Sequence, residues 1–236
     1  MYGMGMGYGM FFDPTYVLVI IAFLLTLFAS FGVKATFRRY DKIRSSRGIT
    51  GSMAARRILD ANGLQHIRIE RVSGNLTDHY SPKENVIRLS DSTYNSDSVA
   101  AIGVAAHECG HAVQYKVGYA PIKIRNSIVP IVNIGSSLSM PLFIIGLIFQ
   151  LTNLAYIGAL LFGLVLVFQV ITLPVEINAS RRAMKTLDGM MLLEGDELSG
   201  ARKTLTAAAM TYVASAASTA LQLLRLLLIL NNRRRD

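Results

Sequence analysis

Four blocks of nearly continuous apolar sequence limit what this chain can become. Thr15 to Val33 is a run of about 19 residues, enough to cross about 30 Å of hydrocarbon as a helix. Ile128 to Leu151 and Ala155 to Leu173 follow, separated only by Thr152, Asn153 and Leu154, which predicts a tight helical hairpin over 128–173. The last block, Leu205 to Leu230, begins with Ala, Ser and Thr and carries Arg225 in its strongly apolar end. Hydrophobic residues make up 52% of the chain, yet long polar stretches separate the blocks, so the apolar residues are concentrated where they can span a membrane. The expected fold is an α-helical membrane protein with three to four transmembrane helices and a small α+β region. The last block either crosses as a fourth span or packs Leu205 to Ala217 within the polar region. Crossing is the favoured expectation, and the small side chains of Ala207 to Ala217 suit close helix contact in either case.

Charge sets the expected topology. No basic region precedes the first block and no small-residue cleavage site follows it, so it reads as a signal anchor. Lys34, Arg38, Arg39, Lys42, Arg44 and Arg47 come next, a cytoplasmic flank by the positive-inside rule. Of 24 Lys and Arg residues, 15 lie between Lys34 and Arg125 and five between Arg181 and Lys203. The net charge of +9 therefore reads as topology and attraction to the membrane surface, and no arginine-rich groove with interleaved aromatics points to nucleic acid. A fourth crossing would put Arg233, Arg234 and Arg235 outside, against the rule.

The polar region 34–127 carries a small fold. Thr50 to Asn62 reads as an amphipathic helix closed by Gly63, and His66 to Val72 alternates like a strand with Ile67 and Ile69 as its apolar residues. Thr77 to Tyr80, a turn over 81–85 and a strand from Val86 to Ser90 make a hairpin. An exposed strand edge there would hold an extended peptide by main-chain hydrogen bonds, or the hairpin only covers the apolar face of a helix.

That helix is predicted over Val99 to Tyr115, with N-cap candidates in Ser96, Asp97 and Ser98. It contains His107-Glu108-Cys109-Gly110-His111, the H-E-x-x-H pattern. Four-residue spacing puts both imidazoles on one face, with Val104 and Gln114 in the same stripe, where they can share a zinc ion while Glu108 reaches its water. The alternative is a helix with two structural histidines. A catalytic zinc needs a third protein ligand, and Glu176 is the best candidate, on a helix started by Pro174 within region 174–204. Asp188, Glu194, Asp196 and Glu197 cluster with Gly189, Gly195 and Gly200 in what reads as a solvated acidic loop. The parity of crossings agrees: the histidines precede the hairpin and Glu176 follows it, so an even number of crossings returns all three to one face. Cys109, the single cysteine, excludes an internal disulfide and points about 200° around the helix from His107, so it reads as a small buried residue. Val99 to Val117 is too polar at both ends to cross a bilayer, which argues against intramembrane proteolysis. The Met, Gly and Tyr tract at Met1 to Met10, in a tail over 1–14, reads as an interfacial tail ahead of a copper(I) site, and residues 231–236 as a basic tail.

Several blocks carry a resemblance. They are Asp13-Pro14-Thr15-Tyr16, Thr77-Asp78-His79-Tyr80, Val104 to Gln114, Leu173 to Ala183, and Gly200-Ala201-Arg202-Lys203 leading into Ala207 to Val213. In these the chain resembles the neutral zinc metallopeptidase family of bacterial membrane proteins, within the gluzincin class; the Met1 to Met10 tract departs from the pattern. The resemblance implies a membrane-bound endopeptidase with His107, His111 and Glu176 as ligands of one catalytic zinc and Glu108 as the catalytic residue. His79, Tyr80 and Tyr212 are candidate donors to an oxyanion or to substrate, and Asn178 and Ser180, near Glu176, are candidates to orient a ligand. The expected partners are the lipid bilayer and a peptide or membrane-protein substrate, at a cytoplasm-facing site of a multi-pass plasma-membrane protein. The second function class is a non-proteolytic membrane scaffold or chaperone that retains a structural metal. The same ligands accept manganese or cobalt, with zinc the default. Oligomeric state carries no signal in the sequence.

Overall fold

In the computed structural model residues 14–232 are described. The Met1 to Met10 tract and Arg233 to Arg235, on which the tail readings fall, lie outside them. Among the described residues four helices are long and apolar enough to cross a membrane: α1 (Tyr16–Tyr40), α5 (Ala120–Ile148), α6 (Thr152–Gly189) and α7 (Gly195–Asn232). Between α1 and α5 lie α2 (Gly51–Ala61), β1 (Arg68–Val72), β2 (His79–Ser81), β3 (Val86–Ser90), α3 (Asp91–Tyr94) and α4 (Val99–Lys116). The protein is a helical membrane protein with a small α+β region.

The residues form two compact units. One comprises 14–28, 127–170 and 213–232. Its α5 and α6 segments approach backbone to backbone at glycines: a Cβ on Gly146 would lie 2.4 Å from Ala155 N, and one on Gly158 2.5 Å from Phe143 N. Small residues permit that approach where lipid supplies no hydrophobic drive between helices. Phe143, Ala155, Ala159, Leu226 and Leu230 form its buried cluster. Arg225, the charge inside the last apolar block, donates to Thr15 Oγ1 at 3.3 Å and lies 4.4 Å from the Tyr16 ring centre, so its cation is partnered.

The other unit comprises 29–126 and 171–212. Thr50 Oγ1 accepts from Met53 N and opens α2, and Gly63, at φ +63°, turns the chain beyond Asn62. Strand order is β1-β3-β2, with Ile69 opposite Ile87 in the parallel pair and Tyr80 opposite Ile87 in the antiparallel one. The hairpin therefore exists, and β1 joins it in parallel on the far side of β3, leaving β2 as an edge. Asn85, at φ 51°, makes the reversal into β3. Ile58, Leu59, Ile87, Leu89, Ile102 and Leu187 are fully buried in the core between α2, the sheet, α4 and α6. Ser98 Oγ accepts from Ala101 N and donates to Asp41 Oδ1, capping α4 and tying it to the segment after α1.

Three expectations are corrected. The break between the second and third apolar blocks is at 149–151, where Gln150 takes φ 58°, and Thr152 to Leu154 already belong to α6. Pro174 does not start a helix. It sits inside the continuous α6, whose Val175, Ala179, Ala183 and Leu187 are buried at four-residue spacing, so packing along one stripe holds the helix across a residue that removes one backbone donor. The acidic stretch is not a free loop: Glu194 pairs with Arg47 at 2.6 Å, Glu197 Oε1 accepts from Ser46 N at 2.8 Å, and Leu192 and Leu193 are buried. Asp196 and Glu197 fall in the first turn of α7, where the helix dipole favours them. The last block lies in one continuous helix, α7, of which Leu205 to Tyr212 belong to the unit that holds α4 and 213–232 to the other.

Candidate metal centre

The central turns of α4 place His107 and His111 with ring centres 4.7 Å apart and planes at 86°. The carboxylate of Glu176, on α6, meets them: Oε2 lies 3.3 Å from His107 Nε2 and 3.6 Å from His111 Nε2. Among the described residues these three form a cluster able to hold a metal, with donor atoms all within 4.8 Å of one another. Metal–ligand bonds of about 2.0–2.2 Å in tetrahedral geometry separate donors by about 3.4 Å, so the observed spacing suits zinc.

The hydrogen bonds behind the donors make the same point. Glu176 is 3% exposed, and its Oε2 is buried with no hydrogen-bond partner. A buried carboxylate oxygen in that state is costly unless a cation completes it. Both histidines use the opposite nitrogen elsewhere, with His107 Nδ1 3.0 Å from Ser180 Oγ and His111 Nδ1 3.0 Å from Gln114 Oε1. Gln114 is fully buried, and its amide nitrogen donates to Val175 O at 2.7 Å and Asn178 Oδ1 at 3.1 Å. With two acceptors on the nitrogen side, the amide oxygen must face His111. Nδ1 of His111 therefore carries the proton and Nε2 presents its lone pair to the Glu176 side. Asn178 is thus one bond removed from a ligand, where Ser180 touches one, and Arg182 Nε donates to Asn178 Oδ1 at 2.7 Å.

Close approach of α4 and α6 depends on Gly110. A Cβ there would lie 2.5 Å from the Ala179 carbonyl oxygen and 3.1 Å from its carbon, against backbone that cannot swing aside. Burial lowers the pKa of metal-free His111, but the Glu176 carboxylate outweighs burial and holds it above the usual imidazole value. Burial, with Glu108 nearby, pushes the Cys109 thiol far above its ordinary range, and its Sγ faces Ala55 O at 3.6 Å, away from the cluster.

Two cavities share His107, Glu108, Glu176, Asp78 and Tyr212 in their walls. One, of about 280 Å³, is otherwise mainly apolar, with Val33, Leu76, Val104, Leu205, Ala208 and Ala209. The other, of about 200 Å³, is polar, with His79, Tyr80, His111, Tyr115 and Arg125. Tyr80 on β2 meets Tyr115 edge-on at 5.5 Å, and burial followed by that neighbour raises its phenol pKa. His79 is exposed, with Nδ1 2.9 Å from Thr77 O. Asp188, Glu194, Asp196 and Glu197 are not in the cluster.

Reading the sequence missed three residues of this site. Arg125 NH1 lies 3.8 Å from Glu176 Oε1, opposite the oxygen that faces the histidines. Its signal was a cation just ahead of an apolar block, which reads equally as a topology marker. Gln114 shared the histidine stripe but two of its three bonds depend on α6, and Gly110, a glycine in mid-helix, is the kind of residue that marks a close approach.

The chain matches the family described as "Putative neutral zinc metallopeptidase" over residues 15–231. It is 44% identical over 217 residues to "Putative membrane protease YugP" of Bacillus subtilis (strain 168), covering 92% of this chain and 96% of that protein. No solved structure matches the chain. A match that extends from α1 to the end of α7, and so takes in both histidines, Glu108 and Glu176, makes this chain a member of the neutral zinc metallopeptidase family.

Proposed function

We propose that this protein is a membrane-bound zinc endopeptidase that hydrolyses peptide bonds of membrane-proximal or unfolded polypeptides at a cytoplasm-facing site. The observation that carries the reading is the unpartnered Glu176 Oε2 facing two Nε2 atoms whose rings are held from behind. His107, His111 and Glu176 would hold the ion. A zinc ion held there would supply the acidity of a bound water and the polarisation of a carbonyl. Glu108, 8% exposed and next to His107, accepts the proton from the attacking water and delivers it to the leaving amide nitrogen. No covalent intermediate is required. Tyr212, whose presence in the walls of both cavities supports this role, donates to the developing oxyanion, with Tyr80 and His79 as the donors on the β2 side. The free edge of β2 supports an extended substrate by main-chain hydrogen bonds. Arg125 holds Glu176 Oε1 and so keeps Oε2 turned to the histidines. Charge supports the orientation: 15 of the 24 Lys and Arg residues lie in 34–125, the stretch that also carries both histidines, and five lie in 181–203, just after Glu176.

The test uses the full chain in detergent, loaded with zinc, on an unfolded model protein. Wild type cleaves, and Glu108→Gln binds zinc at the wild-type ratio but loses at least about a hundredfold in rate, as expected when a general base is removed. Zinc bound by both and no cleavage by either, across soluble and membrane substrates, refutes the reading in favour of a structural metal.

A further inference from the structure

One wall of the apolar cavity, Tyr212 apart, takes no part in the proposed chemistry. Leu205, Ala208, Ala209 and Tyr212 recur at i, i+3, i+4 and i+7, so a single stripe of α7 faces the cavity. Two alanines sit at its middle, where any larger residue would occupy the space. Val104, one turn before His107 on α4, and Val33 on α1 also line it. The Asp78 carboxylate in its wall is already spent, accepting from Ser90 N at 2.8 Å and from Ser90 Oγ at 2.9 Å. An acidic side chain entering here would lose water and meet the Glu108 and Glu176 carboxylates, with no Lys or Arg among the described residues of the wall to pair it.

We propose that this cavity is the subsite that selects the substrate, taking one aliphatic or aromatic side chain of leucine or phenylalanine size from a residue flanking the scissile bond. The assignment rests on the peptidase reading and adds the substrate class: peptide segments with a large apolar residue at the cut. Continuity supports the occupant. His107, Glu108 and Glu176 line the same space, so a side chain seated in it belongs to a residue next to the bond under attack. A volume of about 280 Å³ accommodates such a side chain, and the paired alanines leave the room that a bulkier stripe would fill. The polar cavity beyond, with His79 and Arg125, receives the other side of the peptide.

The experiment uses full-length protein in detergent and quenched fluorescent peptides that differ only at the residues flanking the cut, which are Ala, Leu, Phe or Asp. Binding of the same peptides to zinc-loaded Glu108→Gln, followed by fluorescence anisotropy, gives a readout that needs no turnover. Leu and Phe peptides are favoured over Ala by at least about tenfold in kcat/KM and in binding, the scale of one or more methylenes in an apolar pocket, and Asp is rejected. Ala208→Phe lowers the Leu-to-Ala ratio at least about tenfold while zinc content is unchanged; Ala208→Val serves if the larger variant loses zinc. Cleavage with a Leu-to-Ala ratio near one, or a ratio that neither variant moves, overturns the subsite and leaves the peptidase standing. Selective binding that Ala208→Phe abolishes, with no cleavage by wild type, supports the subsite and refutes the peptidase.

Discussion

Replacing Gln114 with leucine separates metal positioning from packing. Leucine is close to glutamine in volume and apolar, so the fully buried site stays filled while three hydrogen bonds vanish: to His111 Nδ1, Val175 O and Asn178 Oδ1. At about 1 kcal/mol net for each, the loss of fold stability is about 3 kcal/mol. The three partners do not suffer equally. Val175 O remains in the helical ladder of α6, and Asn178 Oδ1 still accepts from Arg182 Nε. His111 Nδ1 is the group left without the bond that fixes its tautomer and ring plane. Loss of such a contact behind a ligand typically weakens metal binding about 10- to 100-fold. At about 1.4 kcal/mol per tenfold, that is about 1.4–2.8 kcal/mol. Zinc affinity, measured by competition with a chromophoric chelator in detergent, reads this directly. Gln114→Glu is the companion variant. Its carboxylate still accepts from His111 Nδ1 but faces the Val175 and Asn178 oxygens without a donor, so the fold weakens while affinity stays near wild type. Folded Gln114→Leu protein that binds zinc within about twofold of wild type would refute the argument that Gln114 sets the His111 tautomer.

Two further predictions follow from the same contacts. Gly110→Ala gains about 1 kcal/mol of helix propensity but drives its Cβ to 2.5 Å from the Ala179 carbonyl oxygen. Overpacking against backbone, at about 1–3 kcal/mol, wins, so thermal unfolding in detergent moves down and zinc stoichiometry falls; an unchanged melting temperature with full zinc sinks the close-approach argument. The raised pKa of His111 gives a pH signature. Its Nε2 must be deprotonated to bind metal, so apparent zinc affinity declines as pH falls through that raised value, starting above about 6.5, and binding releases protons measurable by calorimetry in buffers of different ionisation enthalpy. For the metal-free fold the sign is opposite. Protonated His111 beside Glu176 stabilises fully below the unfolded value, and this contribution disappears as pH rises through the folded one. Metal affinity that does not change between pH 6 and 8 would count against both statements.

Much of the site was legible because its first element is local. Four-residue spacing on a predicted helix puts His107 and His111 on one face whatever surrounds them, and the same geometry turns Cys109 into the core. The apolar blocks were equally plain, since length and composition alone decide whether a helix can span hydrocarbon. Glu176 was reachable by elimination among carboxylates near a second helix, and Ser180 and Asn178 by their distance along that helix. Where the sequence misled, a local rule lost to packing. Pro174 has the chemistry of a helix start, but the buried stripe at Val175, Ala179, Ala183 and Leu187 carries α6 through it. The acidic stretch after Asp188 has the composition of a solvated loop, and the Arg47 cation and the Ser46 amide hold it instead.

The sequence by itself determined the apolar spans, the helix with its two imidazoles and the carboxylate between them, and the cations that flank them, because each is written in a period or composition within one stretch of chain. The tertiary structure alone decided that Gln114 bonds His111 to Asn178, that Gly110 meets Ala179, that Arg125 faces Glu176 and that two alanines of α7 open an apolar cavity beside Glu108. These are meetings of atoms separated by tens of residues, and no periodicity encodes them: they exist only where packed helices fix the distance between their faces.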